Sequence, residues 1–110
     1  GNLREACLSE TIELLKKHSP HEISLRDLAR RLGVSHGAPY RHFKNREALL
    51  AAVAESGFRE FTTYLVEGAA KEADGPLDRF KNQGQAFLQF ALDHPESFRL
   101  MFTQVMFKGA

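Results

Sequence analysis

The chain has no tryptophan and a single cysteine, Cys7, so it cannot form an internal disulfide bond. No apolar run approaches the ~18 residues that a membrane-spanning helix needs, and no basic and apolar signal segment opens the chain. We therefore expect a cytoplasmic chain with no membrane contact, and a Cys7 that is buried on the apolar face of a helix. No glycine-rich phosphate loop or nucleophile motif is present, so the sequence predicts neither an enzyme nor a cofactor.

Five histidines are spread along the chain, and none has a cysteine or carboxylate partner at a spacing that would chelate zinc. They are His18, His21, His36, His42 and His94. The sequence therefore predicts no metal site.

Charge is distributed unevenly, although the whole chain carries only +1. Residues 1–46 contain nine Lys and Arg against five Asp and Glu, which gives +4, whereas residues 47–110 contain six against nine, which gives −3. A basic amino-terminal half suits a partner that carries phosphates, because Lys and Arg side chains neutralise phosphate charge.

Apolar residues recur at three- and four-residue intervals, and no stretch alternates with a period of two. The pattern predicts an all-α fold, with helices over residues 3–18, 25–32, 37–43, 46–70 and 77–92 and a sixth that begins at Pro95. Residues 71–76 contain Asp74-Gly75-Pro76, which indicates a linker and the start of a helix.

Residues 24–43 have the sequence of two short helices joined by a tight turn. Ser24 with Asp27 three residues later predicts a capping box at the start of the first helix. Gly33 predicts that this helix ends at a residue in the left-handed backbone conformation. Ser35 is placed to cap the second helix. The apolar face of the first helix is formed by Leu25, Leu28, Ala29 and Leu32. This order is typical of a helix-turn-helix, whose second helix lies in the DNA major groove.

Pro39 shortens the second of these helices. Proline has no N–H and is tolerated without penalty only in the first helical turn. With Ser35 as the cap, Pro39 would delete the first intrahelical hydrogen bond, whereas a helix that starts one or two residues later would lose none. We therefore expect a very short second helix, over residues 37–43.

Residues 8–53 resemble the TetR family of bacterial transcriptional regulators. The resemblance is carried by Gly33-Val34-Ser35, Tyr40-Arg41-His42-Phe43 and Glu47-Ala48-Leu49-Leu50. The chain departs from the family at Ala38 and Pro39, where a threonine and a larger apolar residue are usual. A weaker resemblance, at residues 93–102, is to the start of a ligand-binding domain found in one subgroup of the family.

The resemblance implies a three-helix DNA-binding domain over residues 1–46, then a long connecting helix and part of a helical ligand-binding and dimerisation domain over residues 47–110. It implies a repressor that binds a palindromic double-stranded operator as a homodimer and is released by a small-molecule effector. Family members are usually longer, with two further helices at the dimer interface. We therefore expect a 110-residue chain to dimerise poorly and to leave Phe98, Phe102 and Phe107 partly uncovered. The alternative is a helical protein–protein interaction module that has kept the fold without reading DNA.

The candidate DNA-binding residues lie at the start of the first motif helix, along the second and at the start of the next helix. They are Ser24, Arg26, Ser35, His36, Gly37, Ala38, Tyr40, Arg41, His42, Lys44 and Arg46. We expect His36 to reach base edges, Gly37 to allow close backbone approach and Ala38 to touch a thymine methyl group. The resemblance implies phosphate contacts for Tyr40 and His42.

Two alternatives remain open for these residues. The first is that one of the two rings, Tyr40 or His42, packs into the domain and does not contact DNA. The second is that Lys44 and Arg46 are solvated cations that bind no phosphate. Arg26 is preferred over the other two arginines of its helix, Arg30 and Arg31, which we expect to be ordinary surface charges.

Eight of the nine phenylalanines lie in residues 47–110. The resemblance implies an aromatic-lined pocket there for an apolar or aromatic effector, and the candidates for its lining are Phe61, Phe80, Phe87 and Phe102. The alternative is that these rings simply pack the core.

Overall fold

The computed structural model describes residues 2–108, with side chains for residues 2–106. Its five α-helices are α1 (Leu3–Leu14), α2 (Leu25–Leu32), α3 (Arg46–Ala69), α4 (Pro76–Asp93) and α5 (Pro95–Lys108), and two 3-10 helices cover Pro20–Glu22 and Pro39–Arg41. The described residues contain no strand, and the predicted all-α fold is confirmed. The side chain of Phe107, which the sequence predicts to be partly uncovered, lies outside the described side chains.

Two compact units make up the chain, residues 1–54 and residues 55–110. The sequence suggested a division after Arg46, where a new helix begins. The units instead divide within α3, because its first two turns bury Leu49, Leu50 and Val53 among the amino-terminal residues. We call residues 1–54 the amino-terminal unit and residues 55–110 the carboxy-terminal unit.

The amino-terminal unit has a small apolar core to which α1, α2 and the start of α3 contribute. The core side chains are Cys7, Leu8, Leu14 and Leu15 from α1 and its end, Ile23, Leu25, Leu28 and Ala29 from α2 and the turn before it, and Phe43, Leu49, Leu50 and Val53. Cys7 is fully buried, as predicted, and this burial raises the pKa of its thiol. The hydroxyl of Thr11, also buried, donates to the Cys7 carbonyl at 2.7 Å, which satisfies its polar group.

The end of α1 is tighter than the sequence predicts. The α-helix stops at Leu14 rather than His18. Lys16 and Lys17 then donate their N–H groups to the carbonyls three residues earlier, at 3.2 and 3.1 Å, so the last turn is 3-10 in character. The 3-10 helix at Pro20–Glu22 was not predicted. Its start is held by the Glu22 carboxylate, which accepts the Ser19 N–H at 2.7 Å, and this bond lowers the pKa of Glu22.

The carboxy-terminal unit packs the second half of α3 against α4 and α5. Phe90 of α4 is fully buried, with Leu100 and Met101 of α5. Glycines allow α3 to approach both neighbours. A Cβ atom on Gly57 would lie 2.8 Å from the sulfur of Met101, and one on Gly68 would lie 2.9 Å from the Ala86 Cβ.

Candidate nucleic-acid interface

Both ends of α2 are fixed by the local bonds that its sequence predicts. The Ser24 hydroxyl accepts the Asp27 N–H at 3.2 Å, which caps the start of the helix. Gly33 has φ 69° and ψ 33°, the left-handed conformation. The N–H groups of Gly33 and Val34 donate to the Arg30 and Ala29 carbonyls at 3.2 and 3.0 Å, which is the Schellman arrangement.

The other half of the predicted capping box is not formed. The Asp27 carboxylate pairs with Arg30 at 2.5 Å and Arg31 at 3.3 Å instead of reaching back to Ser24. These hydrogen bonds, from Arg30 first and Arg31 second, lower the pKa of Asp27.

The second motif element, residues 35–43, is a pair of tight turns, which we call the reading turn. The very short helix predicted over residues 37–43 is present only as the 3-10 helix Pro39–Arg41, so it is shorter than predicted and is not an α-helix. Ala38 N–H bonds to the Ser35 carbonyl at 3.1 Å, and Arg41 N–H bonds to the Ala38 carbonyl at 3.2 Å. Because Pro39 has no N–H, the four-residue bond to the Ser35 carbonyl cannot form, and Pro39–Arg41 is a 3-10 helix. A four-residue bond appears only after it, from the Phe43 N–H to the Pro39 carbonyl at 3.0 Å. The Ser35 side chain accordingly caps no helix.

The reading turn has an exposed polar face and a buried apolar face. His36, Gly37, Arg41 and His42 are exposed, and Tyr40 is 52% exposed. Neither Tyr40 nor His42 packs into the core, which is occupied instead by Pro39 and Phe43. Ala38 is only 7% exposed, so its methyl group faces the interior and is not presented to a base.

The cations of the amino-terminal unit fall into two groups. Five have an ion pair: Arg4 with Glu5, Lys16 with Glu13, Arg30 with Asp27, Arg31 with Glu10 and Asp27, and Arg46 with Glu47. Four have no ion pair with the described part of the chain: Lys17, Arg26, Arg41 and Lys44. Three of these four are predicted DNA-binding residues. Lys17 is not among the predicted DNA-binding residues, because the sequence does not distinguish it from Lys16. In the structure Lys16 is the lysine that pairs with Glu13.

Lys44 and Arg46 differ although they lie two residues apart. Asn45 caps the start of α3, with its side-chain oxygen accepting the Ala48 N–H at 2.9 Å. Lys44, just before this cap, is exposed. Arg46 is half-buried, and its guanidinium donates to the His21 carbonyl at 2.7 Å. Arg46 therefore holds the start of α3 to the turn that precedes α2.

The segment that contains α2, the reading turn and the start of α3 resembles a known family in sequence. The profile of bacterial regulatory proteins of the tetR family matches residues 8–53. The amino-terminal unit of this chain is therefore similar to regulatory proteins of the tetR family.

Two tetracycline repressors are among the curated proteins to which the amino-terminal unit is similar. It is 47% identical over 53 residues to the tetracycline repressor protein class C of Escherichia coli, a match that covers 48% of this chain and 24% of that protein. It is 41% identical over 58 residues to the tetracycline repressor protein class A from transposon 1721 of Escherichia coli, covering 53% and 27%. The matched part is thus about a quarter of each relative.

Solved structures extend the likeness to the whole chain. A protein with unknown function from Rhodococcus sp. RHA1 is 40% identical with a TM-score of 0.86, and the match covers 100% of this chain and 57% of that one. A protein from Lactobacillus plantarum is 21% identical with a TM-score of 0.72, covering 99% and 61%, which shows the shared fold. The chain spans less than two thirds of either structure.

Three of the four predicted effector-pocket residues lie in one aromatic cluster in the carboxy-terminal unit. The Phe61 and Phe87 rings meet edge to face with centroids 5.5 Å apart, and Phe87 lies 6.5 Å from Phe102. Phe98 belongs to the same cluster, with its ring centroid 5.6 Å from that of Phe87 and 4.7 Å from that of Phe102. Phe80 does not join the cluster and is 75% exposed on α4.

A polar cluster that the sequence did not reveal joins α3 to the end of α4. The Tyr64 hydroxyl donates to the Asp93 carboxylate at 2.6 Å and lies 3.3 Å from Nε2 of His94. Gln89 donates to the other Asp93 oxygen at 2.8 Å. The bond to Asp93 raises the pKa of Tyr64 to about 12, while the bonds from Tyr64 and Gln89 lower the pKa of Asp93.

Two surface grooves lie within the carboxy-terminal unit. One, of about 440 Å³, lies between α3 and α4 and is lined by polar residues, among them Tyr64, Glu67 and Gln89. The other, of about 420 Å³, lies between the end of α4 and one face of α5 and is mainly apolar. Phe102 is the single predicted effector residue that lines either of these two grooves.

Among the described residues, no three His, Cys, Asp or Glu side chains are grouped so that they could hold a metal ion. None of the described helices combines the length and the hydropathy that a membrane crossing requires.

Proposed function

We propose that the amino-terminal unit binds double-stranded DNA, with the reading turn in the major groove and unpaired cations on the phosphates beside it. The observation that carries this proposal is the division of the cations. Arg26, Arg41 and Lys44 are exposed and have no carboxylate partner among the described side chains, whereas the neighbouring Arg30 and Arg31 are paired with Asp27 and, for Arg31, also with Glu10. Cations left without acidic partners are available to replace the counterions of a nucleic acid.

Gly37 supports the placement of the reading turn against DNA. A Cβ atom there would meet nothing within 4 Å, and its φ is not positive, so neither packing nor backbone conformation requires a glycine. Glycine weakens a folded turn because it loses more conformational entropy than other residues. The missing side chain instead leaves room for a base edge, next to the exposed imidazole of His36.

The proposed regulator is a repressor that binds a palindromic operator as a homodimer and responds to a small molecule. Two curated relatives of the amino-terminal unit are named tetracycline repressor proteins, which supports repression as the mode of regulation. A dimer doubles the base contacts of a short reading turn and sets the spacing of its half-sites.

Two neighbouring arginines on α2 provide a matched test of phosphate binding. Arg26→Gln should weaken binding to every DNA sequence alike and lower the salt-dependence slope by about 0.9. Arg30→Gln removes a cation that Asp27 already neutralises and should change the affinity little. Fluorescence anisotropy on operator and scrambled duplexes, over a range of salt concentrations, measures both effects. Equal losses for the two variants would contradict the division of the cations.

Tyr40 tests whether the reading turn contacts DNA. Tyr40→Ala should weaken binding to DNA from upstream of the protein's own gene and leave the melting temperature nearly unchanged, because half of the side chain is already in water. A footprint of wild type and variant locates the site. A wild-type protein that binds upstream and scrambled DNA equally would favour the protein–protein interaction module instead.

A further inference from the structure

The apolar groove of the carboxy-terminal unit has a single charged residue in its lining. The groove, which we call the α5 groove, is bounded by Ala91 of α4 and by one face of α5, where Pro95, Phe98, Phe102 and Met106 supply the apolar wall. Arg99 and Thr103 complete the lining. Phe98 and Phe102 are half-buried, with ring centroids 4.7 Å apart, so each offers part of its ring to the groove.

The charge of Arg99 is not neutralised by the described part of the chain. Arg99 is exposed and makes no ion pair there. Glu96, one turn earlier on α5, is half-buried and does not reach it. The Thr103 hydroxyl donates its proton to the Arg99 carbonyl at 2.8 Å, so Arg99 is the charged group that the groove offers to a ligand.

We propose that the α5 groove binds an amphipathic anion, a molecule with an apolar or aromatic body and a carboxylate that pairs with Arg99. The inference rests on the proposed regulatory function, in which this molecule is the effector. The apolar wall removes the body of the molecule from water, and the planar guanidinium can pair with both oxygens of a carboxylate. A cationic ligand would be repelled by Arg99, and a neutral ligand would leave its charge unused.

Three naphthalene probes test the charge preference while the apolar body stays constant: naphthalene-2-carboxylate, 2-naphthol and naphthalen-2-ylmethylammonium. Titration of the 110-residue chain, followed by ¹H–¹⁵N correlation spectra, gives the affinities and locates the site. We expect the carboxylate to bind at least about three-fold more tightly than 2-naphthol, the effect of a partly exposed ion pair. The largest shifts should fall on α5 between Phe98 and Thr103.

Two variants separate a specific ion pair from general charge. Arg99→Gln should reduce carboxylate binding to the level of 2-naphthol. Arg79→Gln removes another exposed arginine, from the distant start of α4, and should have no effect. The proposal is overturned if the three probes bind equally, if the ammonium compound binds best, if none binds, or if both variants weaken the carboxylate equally.

DNA binding is measured separately on the same samples. A chain that binds the carboxylate through Arg99 but shows no preference among DNA duplexes would contradict the proposed function and leave the ligand site intact. A chain that prefers its operator but binds none of the probes would contradict the ligand site alone.

Discussion

At the residue scale, Lys44 and Arg46 show how one partner changes the role of a cation. Lys44 is exposed and has no ion pair with the residues that the structure describes, whereas Arg46 pairs with Glu47 and donates to the His21 carbonyl at 2.7 Å. Lys44→Gln should weaken DNA binding for all sequences, with a slope about 0.9 smaller, and leave stability unchanged. Arg46→Gln should lower the free energy of unfolding by about 1 kcal/mol, because it breaks a bond that joins two segments. Thermal denaturation and DNA-binding titrations of both variants measure the two effects separately. A Lys44→Gln protein that melts early while Arg46→Gln does not would reverse the two roles.

Tyr64 offers a prediction that spectroscopy can check directly. The chain has two tyrosines, so in Tyr40→Phe the only phenol is Tyr64. Its absorbance should titrate near pH 12 in the folded protein rather than near 10.0, because its proton is held by Asp93. Since the folded pKa is raised, this hydroxyl stabilises the fold below pH 10.0, and the contribution is lost as the pH rises toward 12.

Asp93 contributes to stability over the opposite pH range, and its replacement provides a control for the Tyr64 titration. Its pKa is lowered from 3.8, so its contribution is present above that pH and is lost as the pH falls through the lower, folded value. Asp93→Asn should therefore return the Tyr64 titration toward 10.0. A Tyr64 that already titrates near 10.0 in the Tyr40→Phe protein would show that the bond is not formed in solution.

At the scale of the elements, glycines in two helices are predicted to behave oppositely. A Cβ on Gly68 of α3 would lie 2.9 Å from the Ala86 Cβ and 3.1 Å from the Asn82 carbonyl oxygen, so α3 and α4 would have to move apart. Gly68→Ala should cost about 1–3 kcal/mol of stability, as overpacking does. Gly84 lies in the middle of α4 with nothing within 4 Å, and Gly84→Ala should add about 0.5–1 kcal/mol. Chemical denaturation measures both, and a stabilised Gly68→Ala would contradict the close approach of the two helices.

The reading turn is an element whose helix type could not be predicted from the sequence. Pro39 was sufficient to predict a shortened helix, because a missing N–H is a property of the residue alone. The choice between a short α-helix and 3-10 turns depends on which carbonyls the remaining N–H groups reach. It also depends on the burial of Pro39 and Phe43 in the core, and the sequence does not specify either.

At the scale of the whole molecule, the DNA-binding strength of the 110-residue chain should be limited by its oligomeric state. We expect it to sediment as a monomer and to bind one half-site about as well as a full palindrome. Fusion to a parallel dimeric coiled coil should raise the affinity for the palindrome by about 100-fold or more, because the second unit then binds at high effective concentration. Analytical ultracentrifugation and anisotropy give both values. A tight dimer of the unfused chain would reveal an interface that the sequence does not predict.

The sequence by itself determined the helical architecture and the ends of most helices. Ser24, Gly33 and Asn45 act on N–H and carbonyl groups within five residues of themselves, so their effect can be read without knowing the fold. Tertiary structure alone decided that Arg46 bonds to a carbonyl 25 residues away and that Tyr64 meets Asp93, 29 residues away. It also decided that Phe80 stays outside the aromatic cluster. Periodicity fixes which side of a helix a residue occupies, whereas its partner depends on how that side packs against residues distant in the chain.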